Sequence, residues 1–366
     1  MCTSLLYLDA AKRAYLGRTL ELSIELPYQI SFFPKSLPLF SSIDGFSPLS
    51  WNVQYPFLAI TMPATAPVPG KLGDATDLKV IEGMNSVGLT FSVQSYPDAA
   101  GSAPEAEPKC NVLSAIDLGA WVLSQFSNVD EVKAALTGLK VIPDAVPILG
   151  GLRMPFHYAV HDASGKSIVI EFHHGVREIY DNPVGVMTNS PQFPWHLTNL
   201  NNYTFLTNID HSKAKFGNYE AAQFGSGIAK IGLPATDTSV DRFIRAVFYA
   251  AFAEKQVDPE KSVQMVAHIM NNFDRPRGIT VDSPNQGSDH LNIQDHALTG
   301  IPTEFTSWTS ISDLEGKRFF VRGSDGMNYT SFDIQALCQD LDAFKTVPMT
   351  HVLSSSYSSL SKLVGR

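Results

Sequence analysis

Cysteine is scarce in this chain of 366 residues: Cys2, Cys110 and Cys338 are the whole supply. Three thiols cannot close a disulfide framework, and none sits in a CxxC or mixed Cys/His spacing that zinc would need. An odd number leaves at least one thiol free. No run approaches the roughly 20 apolar residues of a membrane span. Residues 1–30 hold Lys12, Arg13 and Arg18 but no continuous apolar stretch of the kind a secretory leader carries; a chain trimmed to a mature N-terminus would look the same. No Lys/Arg-rich tract is present, and a net charge of −9 argues against nucleic acid as a partner. The GxSxG, Walker and GxGxxG patterns are all missing, so the commonest serine-hydrolase, P-loop and dinucleotide-binding signatures are excluded. Asp289-His290, Asp295-His296 and His173-His174 do not meet calcium or zinc spacing and read as solvated or strand-end residues. No metal and no cofactor is called for.

What is present is the composition of a globular enzyme-sized chain. It is 44% apolar and 17% charged, enough for a sizeable core and too apolar for disorder. Thr3–Leu8 and Gly17–Ile24 read as strands flanking a polar turn, with further strands at Phe57–Met62 and within Lys79–Val93, around Gly83-Met84-Asn85-Ser86-Val87-Gly88. Asp98–Pro108 is rich in Pro, Ala, Gly and Glu and reads as an exposed loop. Ile116–Phe126 has helical spacing, and Asn128 followed by Glu131 caps a helix running through Leu139. Asp162-Ala163-Ser164-Gly165 marks a hairpin between His157–His161 and Ser167–Phe172. Helices are expected at Asp241–Lys255 and Asp258–Phe273, then strands at Glu304–Ser312, Arg318–Arg322 and Thr330–Asp333. Strand clusters separated by paired helices do not make a βαβ repeat; antiparallel sheets layered with helices, an α+β architecture, fit better.

The candidate chemistry begins at the start of the chain. With Met1 removed, Cys2 carries a thiol and a free α-amine on one residue. An amine with a pKa of about 8 can take the thiol proton near neutral pH, and a nearby guanidinium such as Arg18 would favour the thiolate. By position alone Cys2 reads as simply the second residue of the chain. Asn189 ends the run Asn182-Pro183-Val184-Gly185-Val186-Met187-Thr188-Asn189-Ser190-Pro191, where a strand enters a turn; its amide is either presented at a sheet end or is ordinary turn chemistry. Arg242 and Arg245 lie three apart on one helix face. Arg245 either pairs with a carboxylate in the core or points into a cleft.

Taken together, Met1-Cys2-Thr3, Gly17-Arg18-Thr19-Leu20, Gly83-Met84-Asn85, the run ending Met187-Thr188-Asn189-Ser190-Pro191, and Asp241-Arg242-Phe243-Ile244-Arg245 resemble the choloylglycine hydrolase family. Its members are penicillin V acylases and conjugated bile salt hydrolases. The resemblance extends in order from Cys2 to about Asp333. It implies an N-terminal nucleophile hydrolase fold, an αββα sandwich of two antiparallel sheets between helical layers, formed by residues 1–366 as one domain.

By motif position the resemblance makes Cys2 the nucleophile, Arg18 the arginine beside it, Asn189 an oxyanion donor and Arg245 the active-site arginine of the later helix. Where the family usually has Asp three residues after the arginine, this chain has Glu21, one methylene longer, as the anchor for the α-amine. Ser95 falls, counting from Asn85, where bile salt hydrolases have an oxyanion-side Asn. The Pro/Ala-rich loop and the aromatic segment 27–57 are most similar to the Gram-negative branch, whose members act on penicillin V and long-chain acyl-homoserine lactones.

The reaction implied is hydrolysis of a small-molecule N-acyl amide through a thioester, without a cofactor. A homo-oligomer, a tetramer in the family, is implied too, with a periplasmic location if a leader precedes Cys2 and a cytoplasmic one if the sequence is native as written. Phe32, Phe33, Tyr96, Phe193 and Trp195 lie near these motifs and are expected to wall the acyl pocket, with penicillin V favoured over bile salts. A non-catalytic binding protein that keeps Met1 is the alternative of a different class.

Overall fold

Alternation along the first two strands organises the molecule. In Cys2–Leu8, residues Cys2 and Leu6 point one way and Leu5 and Tyr7 the other, into two separate cores. In Ala14–Leu22, Ala14, Leu16 and Leu20 join the first core while Tyr15 joins the second. A strand buried on both faces must lie in the middle of a layered structure. The computed structural model describes residues 1–65, 71–99, 111–146, 151–281 and 303–353.

Six strands form the first antiparallel sheet, in the order Val186–Met187, Cys2–Leu8, Ala14–Leu22, Phe305–Asp313, Arg318–Gly323, Thr330–Asp333. Eight form the second, also antiparallel, with Thr90–Ser95, Leu78–Asn85, Phe57–Pro63 and Gln29–Phe33 as consecutive inner neighbours. The two sheets meet in one core, which includes Cys2, Leu20, Tyr28, Phe32, Met84 and Trp308. The helices Ser239–Phe252 and Pro259–Met270 cover the outer face of the first sheet. The helices Leu118–Gln125 and Val129–Gly138 cover the outer face of the second. The result is helix, sheet, sheet, helix: the αββα sandwich that the resemblance implied.

Two glycines set how closely these layers approach. A Cβ on Gly17 would lie 2.6 Å from Met270 Sδ and 2.7 Å from Val266 Cγ1, so its absence lets the helix Pro259–Met270 rest on the strand. Gly88 closes the Asn85 turn at φ +89°, and a Cβ there would fall 2.2 Å from the Leu314 carbonyl oxygen. The Asn85 side chain braces the same turn, accepting from the N–H groups of Val87 and Leu89.

Several boundaries differ from those expected, for local reasons. The helix expected from Asp241 begins at Ser239, because Thr238 takes the cap position and accepts from the Asp241 N–H. Asp258, expected inside a helix, is instead its cap, accepting from Lys261 N–H. Asn128 caps its helix as expected, with its side chain accepting from Glu131 N–H. The segment Phe193–Leu200, read only as an aromatic stretch, is a helix with Pro194 in its first turn. Of the expected loop 98–108, Pro97–Ala99 is a short 3₁₀ turn; 100–108, Cys110 and the Asp289–His296 region lie outside the described residues.

Candidate active site

Cys2 opens its strand with its side chain turned into the core between the sheets, where it is only 4% exposed. Ser4 pairs with Arg18 across the ladder, so Arg18 stands on the same face as Cys2, one diagonal step away. Its Nη2 donates toward Cys2 Sγ at 3.6 Å. Arg18 is fully buried and held from several sides. Nη2 also donates to the Val93 carbonyl, Nε is 3.4 Å from a Glu82 carboxylate oxygen, and the guanidinium carbon lies 4.7 Å from the Trp308 ring centre. Burial pushes the Glu82 carboxyl up to about 7, while the Arg18 charge and the Ser92 hydroxyl pull the other way. Tyr28 sits edge-on to Trp308 at 5.9 Å. Its hydroxyl is pushed up by burial and then by the negative charge Cys2 can carry.

The other face of the strand is served by the outer layer. Met187 pairs with Ser4, so the chain leaving this edge strand brings Asn189 level with the N-terminal end of Cys2. Asn189 Oδ1 accepts from the Cys2 backbone nitrogen at 2.9 Å and from Arg242 Nη2 at 2.7 Å. Its Nδ2 donates to the Ser95 carbonyl at 2.7 Å. Ser95 therefore enters through its main chain. Arg242, on the covering helix and wholly buried, also donates through Nη1 to the Cys2 carbonyl and to Thr3 Oγ1 at 2.7 Å. Burial lowers its guanidinium pKa, and the neighbouring Glu21 and Cys2 charges counter that.

The arginine that reaches the Cys2 strand is thus Arg242, not the expected Arg245. One turn further along the helix, Arg245 is directed back to the loop before it, donating to Thr236 and Pro234 carbonyls and pairing with Asp237 at 3.2 Å. Of the two readings its sequence left open, this is carboxylate pairing. Glu21 lies near the chain's amino group but away from the thiol. Three positions after Arg18, alternation puts its side chain on the opposite face from Arg18 and the thiol. Its carboxyl is fully buried and accepts from Thr306 Oγ1 at 3.3 Å. Burial raises its pKa, with Arg242 and the N-terminal ammonium acting in the opposite sense. The Met1 ammonium lies beside it, donating to the Glu21 carbonyl at 2.5 Å and 3.5 Å from Glu304.

The expected aromatic wall is not one surface. Phe32 shares the inter-sheet core with Cys2, whereas Phe33, the next residue along, faces the other way and stacks on Phe57 at 4.3 Å. Tyr96 is fully buried, stacked on His157 at 4.8 Å and bonded through its hydroxyl to His173 Nδ1 at 2.7 Å. Phe193 is buried against Phe243 beneath the outer helices. Trp195 is 45% exposed, edge-on to His196. Period-2 alternation separates neighbours such as Phe32 and Phe33, a signal readable in the sequence. Glu82, Tyr28, Trp308, His157 and His196 were not singled out as site residues. For Glu82 the available signal was a lone carboxyl at an inward position of an apolar strand. Among the described residues no three His, Cys, Asp or Glu side chains gather as a metal site.

The chain's likeness to known proteins agrees with this geometry. The model of the linear amide C–N hydrolases of the choloylglycine hydrolase family matches residues 2–347. A bile salt hydrolase/transferase of Clostridium perfringens is 29% identical over 284 residues, 76% of this chain and 81% of the relative. Penicillin V acylase of Pectobacterium atrosepticum is 25% identical over 357 residues, 92% of this chain and 81% of the relative. A solved mutant of conjugated bile acid hydrolase from Clostridium perfringens has a TM-score of 0.78 at 24% identity, covering 98% of this chain and 99% of that one, a likeness of fold. With the match extending over almost its whole length, the chain belongs to the choloylglycine hydrolase family of linear amide C–N hydrolases.

Proposed function

We propose that this protein hydrolyses N-acyl amides bearing an apolar acyl group, with Cys2 as nucleophile and the side-chain amide of penicillin V as its leading substrate. The observation that carries this reading is the convergence of Arg18, Asn189 and Arg242 on Cys2 from three different elements. With Met1 removed, the Cys2 nitrogen becomes an α-amine with Asn189 Oδ1 already at 2.9 Å. The neutral amine takes the thiol proton and sulfur attacks the amide carbonyl. Arg18 beside Sγ favours the thiolate. Asn189 Nδ2 has a second hydrogen beyond the one on the Ser95 carbonyl, and in this reading it meets the developing oxyanion. The α-ammonium returns its proton to the leaving nitrogen, the C–N bond breaks, and water cleaves the thioester.

Penicillin V is favoured by a penicillin V acylase relative that aligns over 92% of the chain. Conjugated bile salts are the second reading, favoured by the higher identity, 29%, to a bile salt hydrolase/transferase. Buried as they are, Phe33, Tyr96 and Phe193 do not carry the choice. A hydrolysis panel of penicillin V, glycocholate and decanoyl-homoserine lactone, run on protein of recorded intact mass, tests both the substrate and the start. The expected outcome is a mass without Met1 and the highest kcat/KM on penicillin V. Faster cleavage of glycocholate would transfer the assignment to bile salts. Full activity with Met1 attached would sink the α-amine mechanism, and no cleavage with Met1 retained would favour a binding protein.

The same reading includes a homo-oligomer. Its support is the hairpin of Lys213–Phe216 and Tyr219–Ala222, which exposes Phe216 and Tyr219 at its turn, with Phe224 exposed shortly after it in the chain. Apolar side chains grouped this way mark an association surface. Light scattering should give a multiple of 40.0 kDa, and Phe216→Asp with Tyr219→Asp should lower it; a monomer before substitution refutes the assembly.

A further inference from the structure

The edge strand of the first sheet stops at Met187, and the next two residues lie outside regular structure. Backbone polar groups that leave a ladder need other partners when buried. Here they find side chains from three elements. The Thr188 carbonyl accepts from His157 Nε2 at 3.0 Å, and the Asn189 carbonyl accepts from His196 Nε2 at 2.9 Å. The Asn189 N–H donates to Ser239 Oγ at 2.8 Å, and Ser239 also bonds Thr188 Oγ1 at 2.9 Å. Two imidazoles on consecutive carbonyls clamp the segment from opposite sides, one from the second sheet and one from the helix Phe193–Leu200.

Both rings are themselves fixed. His157 is sandwiched edge to edge in a polar chain: its Nδ1 is 3.0 Å from Glu171 Oε1, and its face stacks on Tyr96. Glu171 is fully buried and accepts from the Phe193 N–H with both oxygens, at 3.0 and 3.2 Å. A carbonyl only accepts, so His157 presents its Nε2–H to Thr188, while its Nδ1 faces Glu171 Oε1. His196 lies flat on Phe243, ring centres 4.6 Å apart. Burial pushes its pKa down to about 4, so it is neutral at physiological pH, and its one proton sits on Nε2, facing Asn189. Gln94, with its amide turned so that its oxygen accepts from Ser4, adds a donor to the Met187 and Thr188 carbonyls.

We infer that His157 and His196, with Glu171 behind His157, are positioning residues that hold the Thr188–Asn189 backbone so that the Asn189 amide stays aimed at Cys2. The inference rests on the reading of Asn189 as an oxyanion donor. Its physical logic is that such a donor works only when it is already in place as charge develops, with no reorganisation at the moment of reaction. A side chain at the end of a two-residue strand has no ladder to fix it, and the two imidazoles supply that restraint.

The test is a set of variants assayed on penicillin V and glycocholate: His196→Phe, His196→Gln, His157→Phe, Asn189→Ala, and His196→Phe combined with Asn189→Ala. Phe keeps the ring on Phe243 but removes the donor, and Gln restores an N–H at about the place of Nε2. His196→Phe should lower kcat about 10–100-fold with KM within about 3-fold. His196→Gln should recover most of that loss. In the double variant His196→Phe should add nothing to Asn189→Ala, since the group it positions is gone. His157→Phe, which keeps a ring on Tyr96 but removes the donor to the Thr188 carbonyl, should reproduce the kcat loss and serves if His196→Phe does not fold. Full kcat in both His196→Phe and His157→Phe, with activity lost in Asn189→Ala, overturns the positioning role alone. Full activity in Asn189→Ala overturns the oxyanion reading and this inference with it.

Discussion

Cys2→Ala is expected to abolish turnover while the protein keeps its melting temperature to within a few degrees. The loss should be of the order of 10⁶ in kcat, the scale seen when a hydrolase loses its nucleophile alone. The fold should survive because Cys2 is a small side chain at the start of its strand, and the ladder to Leu20 is made by backbone. Deleting one buried sulfur leaves a small void that costs about 1 kcal/mol. Cys2→Ser should also be severely impaired, because a hydroxyl forms its anion far less readily than a thiol and is the weaker nucleophile in a site arranged for a thiolate. Iodoacetamide offers an independent measurement. Cys338 is half-buried, with its thiol pushed up by burial and by Asp333. Cys2 has the Arg18 guanidinium at 3.6 Å. Labelling followed by peptide mass mapping should therefore find Cys2 modified first and activity lost in step. Equal labelling of all three cysteines, or activity in Cys2→Ala, would refute the nucleophile.

Arg242→Met and Arg245→Met should separate sharply, although the two arginines share a helix face. Arg242 is buried completely and touches the Cys2 carbonyl, Thr3 and Asn189 at once. Methionine fills much of its volume but supplies none of these donors. Its loss should lower kcat/KM by about 10²–10³, comparable with removing an oxyanion donor. It should also destabilise the fold by about 3 kcal/mol, because Glu21 is left buried beside the gap. Arg245 bonds the loop 234–237 and stacks near Phe273 at 5.7 Å. Its replacement should lower the melting temperature and leave kcat/KM within about tenfold. Steady-state kinetics beside thermal melts decide between them. The reverse pattern, with Arg245→Met inactive and Arg242→Met active, would restore the role that motif position gave to Arg245.

The strands were legible in the sequence because short apolar runs bounded by turn residues leave a local trace. Leu5 and Tyr7 are as apolar as Leu6, so the run reads as a strand without saying which core each side chain enters. Asn128 with Glu131, and the Asp162–Gly165 turn, could be read for a similar reason: capping and tight turns are settled by residues within four positions of one another. The motif set from Cys2 to Arg245 identified the family by order alone. What spacing could not decide was reach. Arg242 and Arg245 are equivalent by periodicity, and only the docking of the helix Ser239–Phe252 over the Cys2 strand brings one of them to the nucleophile. Alternation parts Phe32 from Phe33, but only the packing of the two sheets shows that Phe32 is the one sharing a core with Cys2. His157, Glu171 and His196 meet Thr188 and Asn189 only because two sheets and a short helix converge there. Local chemistry wrote the strands, caps and turns into the chain. The partners of a buried guanidinium or imidazole come from distant segments, so their identity waits on tertiary packing.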